Sequence, residues 1–131
     1  MQSPDLASVA VRRDDTRSGM LVMSGAWAVE TLNETVDAEL AALPADMRAR
    51  FVRIAELIEI AGLPRVREPH VKHLRGPVWE MRLSGRAGIA RALYVVASGG
   101  RVVVVRAFIK KTQAVPAREI DLALRRRQEL R

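Results

Sequence analysis

The feature that most restricts the fold of this chain is the alternation at Trp79-Glu80-Met81-Arg82-Leu83. Trp79, Met81 and Leu83 share one parity, Glu80 and Arg82 the other. That is the period of a strand burying one face and offering the second to solvent. Two more strand-like runs follow, Ile89 to Val96 and Arg101 to Ile109, joined by the hairpin signal Ser98-Gly99-Gly100. Val102 to Val105 is apolar on both parities, as a central strand covered on both faces requires. Consecutive strands with tight turns make an antiparallel meander. Cations recur along it at strand positions and exits: Lys72, Arg75, Arg82, Arg91, Arg106, Lys110 and Lys111. A half-buried sheet does not need so many for stability, so they point to an anionic ligand.

The flanking segments supply the helices. Residues 1–24 are expected to form a flexible extension, with Met20 or Met23 as alternative starts, and 25–131 the domain. Gly25 to Leu32 suits a first strand, with Trp27, Val29 and Thr31 on one face. Asn33 offers an N-cap to a short helix carrying Val36, Leu40 and Leu43. Pro44 suits the first turn of a second helix, whose apolar stripe is Phe51, Ile54, Ala55, Ile58 and Ala61. Glu56 and Glu59 lie off that stripe, and Gly62 stops the helix. Pro64 to Pro69 is a connector to a short strand, Val71 to Leu74. Gly76-Pro77 turns the chain into the alternating strand, and Ser84-Gly85 with Gly88 makes the next loop. Pro116 opens a last helix in which Ile120, Leu122, Ala123 and Leu124 pack while Arg125, Arg126 and Arg127 stay solvated. The class is α+β.

Charge sharpens the functional reading. Residues 1–63 hold six Lys and Arg against ten Asp and Glu, a net of −4, whereas residues 64–131 hold sixteen against five, a net of +11. An acidic supporting layer and a basic working surface fit a nucleic acid or another polyanion. Without cysteine there is neither a disulfide frame nor a thiolate metal site. His70 and His73 at i, i+3 without further ligands do not make a zinc site. No apolar run approaches the roughly 20 residues that span a bilayer. The acidic start does not read as a secretory signal, so a cytoplasmic protein without membrane attachment is expected.

Lys72-His73-Leu74-Arg75-Gly76-Pro77-Val78-Trp79-Glu80-Met81-Arg82 resembles the pattern of the HigB-type toxins, grouped with phage-derived Gp49-like proteins in the RelE superfamily. Arg91-Ala92-Leu93-Tyr94, then Ala107 to Gln113, Pro116 and Ile120 to Ala123, are similar in order and spacing. The resemblance covers roughly residues 36–127 and is strongest from 72 to 123. It implies a RelE-like fold: an antiparallel sheet of four to five strands, mixed at the first strand, two N-terminal helices on one face and a C-terminal helix. It also implies the toxin of a type II toxin–antitoxin system, a ribosome-dependent endoribonuclease cutting mRNA in the A site. The RNA 2′-hydroxyl attacks the adjacent phosphate, without metal or cofactor. The implied partners are a HigA-like helix-turn-helix antitoxin and, only through it, operator DNA.

In-line phosphoryl displacement needs charge stabilisation on the equatorial oxygens, a proton acceptor and a proton donor. Arginine suits the first task through its planar fork. Arg82 lies on the polar parity of its strand, and the resemblance places it, Arg91, Lys110 and Lys111 at cationic positions of the family's groove. The catalytic candidates are Arg82, Arg91, Lys111 and, for proton transfer, His73; His70 precedes the strand. Lys72, Arg75, Arg106, Lys110 and Gln113 are candidates for holding RNA. Gln113 stands near where RelE itself carries a tyrosine, which leaves the general base open. Trp79 and Tyr94 read as core. The competing readings are a non-catalytic RNA- or antitoxin-binding protein of the same fold, and a DNA-binding phage-derived protein.

Overall fold

The computed structural model describes residues 27–111 and 113–130. The expected extension over 1–24 and the alternative starts lie outside the described residues. The order is β1 (Ala28–Thr31), α1 (Glu34–Ala41), α2 (Ala45–Ala61), a 3-10 turn (Leu63–Arg65), β2 (Val71–Arg75), β3 (Val78–Gly85), β4 (Gly88–Ala97), β5 (Arg101–Lys110) and α3 (Ala117–Arg127). The sheet runs β1-β5-β4-β3-β2. Its four later strands form the antiparallel meander, and β1 joins β5 in parallel, with Ala28 opposite Arg101 and Thr31 opposite Val104. The class is α+β, RelE-like, with a mixed five-stranded sheet.

Local signals set these elements. Asn33 is extended and its Oδ1 accepts the Val36 N–H at 3.1 Å, which satisfies one of the open donors of α1. Pro44 caps α2 from the residue before it, one place earlier than expected. Gly99 and Gly100 supply positive φ (83° and 75°) where the three-residue loop turns β4 into β5. Gly85 is needed for space. A Cβ there would fall 2.7 Å from the Asp46 carboxylate and 2.8 Å from Met47 Cγ. The same Asp46 accepts the Arg86 N–H at 2.6 Å, so the β3–β4 hairpin is seated on the first turn of α2.

Two cores lie on opposite sides of the sheet. Phe51, Ile54 and Ile58 of α2, with Val36 and Leu40 of α1, cover Val29, Met81, Leu83, Val102 and Val104. Ala123 of α3, with Ile120 and Leu124, covers Val78, Leu93, Val95, Val103 and Val105. Val102 to Val105 are therefore all fully buried, each parity by a different helix layer. Ala61, at the end of α2, is exposed and does not extend the stripe.

Beyond Val104 the register with β1 stops, and side chains take over the edge of β5. Glu39 of α1 accepts the Ala107 N–H at 3.1 Å, and Arg126 of α3 donates to the Val105 carbonyl at 2.8 Å. Arg126 also grips Glu39 at 2.8 and 3.0 Å. Arg106 forks onto Glu119 at 2.6 and 3.1 Å and reaches Glu39 at 3.0 Å. Burial alone would raise the Glu39 carboxyl, but Arg126, the Ala107 N–H and Arg106 outweigh it and hold the group below the usual carboxylate range. Arg126 is thus a bridge between layers and not the solvated arginine that helical spacing predicts.

Candidate active site

On the α3 side of the sheet, α3 covers the part over Val78, Leu93, Val95, Val103 and Val105. The rest of that face is open. Strand register fills it: Arg82 on β3 is opposite Arg91 on β4, and Ile89 on β4 is opposite Lys110 on β5. A cleft of about 740 Å³ opens there, lined by Arg82, Arg91, Lys110, Lys111 and Gln113. Five of the nine residues expected from sequence therefore meet in one place.

The floor of the cleft is an ion pair. Arg91 is 1% exposed and Glu80 2%, with Nε and Oε1 2.6 Å apart. Glu80 was expected on a solvated parity; it is buried because it lies beneath the guanidinium. Its other oxygen is 3.7 Å from Arg82 Nε. One carboxylate thus faces two arginines. Among the described residues Arg91 Nη1 has no hydrogen-bond acceptor, whereas Arg91 Nε and Arg82 Nε meet Glu80 as ion pairs. Burial pulls the Arg91 guanidinium below its ordinary range and Arg82 adds to this, while Glu80 opposes both. Lys110 is also shifted down, by burial first and then by the charge of Arg91, with Arg82 and Lys72 contributing. Its ammonium donates to the Gln113 carbonyl.

The structure divides the two histidines differently from the sequence reading. His73 stands outside the cleft, on the opposite face, with Nε2 2.8 Å from the Gly76 carbonyl. His70 lines the cleft instead. The β2–β3 ladder begins before Val71: the Arg82 N–H donates to the His70 carbonyl at 2.9 Å. His70 and Lys72 therefore share the face of Arg82 and Glu80, whereas Val71 and His73 take the other. The signal was present, since His70 is two residues before Lys72. Arg50 of α2 also lines the cleft, and nothing in the helical period marked it.

The remaining candidates are placed elsewhere. Arg75 reaches α3, with Nη2 2.5 Å from Asp121 Oδ1, both half exposed. Arg106 is occupied by Glu119 and Glu39 and only 22% of its side chain is exposed. Lys72 is exposed at the β2 edge, opposite Glu80. Tyr94 is buried, but Trp79 is 37% exposed and not core. Among the described residues, no group of three or more His, Cys, Asp or Glu side chains forms a metal-ligating set, and no helix is long and apolar enough to cross a membrane. Residues 38–128 match the family described as Phage derived protein Gp49-like (DUF891). No curated protein matches the chain.

Proposed function

Since the chain belongs to the Gp49-like family of phage-derived proteins, a RelE/HigB-like toxin family of toxin–antitoxin character, we propose that it is a ribosome-dependent endoribonuclease. Its substrate is mRNA in the ribosomal A site, and its neutralising partner is a HigA-like helix-turn-helix antitoxin. The observation that carries this reading is the gathering of Arg82, Lys110 and Lys111 in one cleft whose floor is the Arg91–Glu80 pair. A phosphate is the ligand such a cluster of cations fits.

In the proposed reaction the 2′-oxygen bonds to phosphorus while the bond to the 5′-oxygen breaks, leaving a 2′,3′-cyclic phosphate and a 5′-hydroxyl. Arg91 and Arg82 hold the non-bridging oxygens as negative charge grows on them. His70 takes the proton from the 2′-hydroxyl, as an imidazole lining the cleft can. Lys110, whose acidity is raised by burial and by Arg91, gives a proton to the departing 5′-oxygen. Lys111, Gln113 and Lys72 steady the flanking backbone. Glu80 keeps Arg91 in line and balances part of the positive charge while the cleft is empty.

The test is cleavage of one mRNA, free and on initiated ribosomes, with the new ends mapped. Cutting on ribosomes alone, with 5′-hydroxyl products that disappear in Arg82→Ala, is expected. Equal cutting of free mRNA removes the ribosome from the reading. No cutting by a folded protein removes the nuclease.

A further inference from the structure

The opposite side of the β2–β3 edge carries a second concavity of about 480 Å³ that the proposed reaction does not use. Its floor is a row of three rings on three neighbouring strands. His73, Trp79 and Tyr94 are successive cross-strand partners. The His73 and Trp79 centroids are 5.0 Å apart at 57°, and those of Trp79 and Tyr94 are 6.5 Å apart at 24°, a stacked pair. Tyr94 is buried while Trp79 is left 37% exposed. One wall is the connector after α2, with Leu63, Pro64 and Val66. Arg67 and Lys72 stand on the rim, with Glu68 the one acid among the lining residues.

We infer that this row is a stacking site for one unpaired nucleobase of an RNA strand whose backbone lies in the cationic cleft. The proposal rests on the RNA reading of that cleft. Three observations select a base over other occupants. The Trp79 indole is part-exposed, backed by the buried Tyr94 ring and flanked by the tilted His73 ring, so it offers a π-face contact that any base can use. The rim is cationic at Arg67 and Lys72, as a phosphate beside the base requires. Lys72 links the two sites, since it lines this concavity and is also the cross-strand partner of Glu80 at the floor of the cleft. A strand crossing the short β2 edge at Lys72 can thus keep phosphates on one side and place a base on the other. A volume near 480 Å³ is also within the range of roughly 300–1,000 Å³ usual for small-molecule sites.

The chain has two tryptophans, so the test reads their indole ¹⁵N–¹H resonances during titration with a short single-stranded RNA carrying 2′-O-methyl riboses, which cannot be cut. The Trp79 resonance, assigned through Trp79→Phe, is expected to shift with the same midpoint as the Arg91 and Lys110 amides. Trp79→Leu should weaken binding about tenfold, Trp79→Phe should restore most of it, and an oligonucleotide abasic at the stacked position should leave the indole unmoved. If the Arg91 and Lys110 amides shift and Trp79 does not, the stacking site is wrong while the RNA reading of the cleft stands. If no resonance shifts, the chain does not hold RNA off the ribosome and the stacking site is overturned, while the ribosome assay above still decides the nuclease reading. If Trp79 responds to purified antitoxin and not to RNA, the concavity is a protein dock and the inference is overturned.

Discussion

Arg82 and Arg91 face each other across two strands, yet their substitutions should have different consequences. The Arg82 side chain is 36% exposed, so Arg82→Ala should reduce cleavage about 10²- to 10³-fold, the loss of one well-placed charge-stabilising donor, with little change in the melting temperature. Arg91→Ala removes a similar contribution and also strands Glu80 in a buried setting, which costs about 3–5 kcal/mol. A calorimetric melt alongside a cleavage assay separates the two effects. If the Arg91→Ala melt is unchanged, the pair is not the buried contact described. Lys110 gives a pH signature. A proton donor loses function as pH rises through its pKa, and that of Lys110 is depressed. The alkaline limb of the cleavage profile should therefore lie below the ordinary lysine range. Lys110→Arg should move that limb upward and slow the reaction; a limb that stays in place assigns the proton to another group.

At the scale of elements, the network around Glu39 ties α1, β5 and α3 together and predicts acid sensitivity. Because its carboxyl is held low in the fold, an unfolded chain binds that proton more readily. The stabilisation is complete above the ordinary carboxylate range and is lost as pH falls through the depressed value. Glu39→Gln should lower stability by about 3 kcal/mol, the low end for breaking a buried pair, and flatten the acid limb of melting temperature against pH. An unflattened limb would place the sensitivity elsewhere. The network also marks the boundary of what sequence could reveal. Strands, caps and turns were legible because each rests on local chemistry: alternation at Trp79 to Leu83, the Asn33 side chain, paired glycines after Ser98. The cleft cations Arg82, Arg91, Lys110 and Lys111 were legible because they carry parity or stand at a strand exit. Arg106 and Arg126 were misread because their partners Glu39 and Glu119 are distant in sequence, and an arginine looks the same wet or paired. His73 was preferred to His70 because the ladder was taken to begin at Val71, whereas the Arg82 N–H already pairs with the His70 carbonyl and brings His70 onto the face of Lys72 and Arg82.

At the scale of the molecule, the +11 half and the cleft within it predict steep salt dependence. Binding to ribosomes across a salt series should fall with a log–log slope of several units; a flat line means the basic half meets something other than RNA. On the proposed reading, the acidic side chains of α2 are the expected contacts for a basic antitoxin surface. Glu56 is exposed there, whereas Glu59 is engaged by the Val29 N–H at 2.9 Å. Glu56→Lys should therefore weaken the complex in a pull-down while Lys111→Glu leaves it intact, and the reverse result would put the antitoxin over the cleft.

The parallel pairing of β1 with β5 has a consequence for the birth of the protein. A nascent chain that has emerged only as far as Gly100 has no partner for β1, no Lys110 or Lys111, and no α3 to bridge Glu39. The cleft needs β5, so it forms only once Arg101–Lys110 has joined the earlier strands. On the proposed reading, a nascent chain stays harmless to the ribosome making it until β5 has emerged and paired with β4.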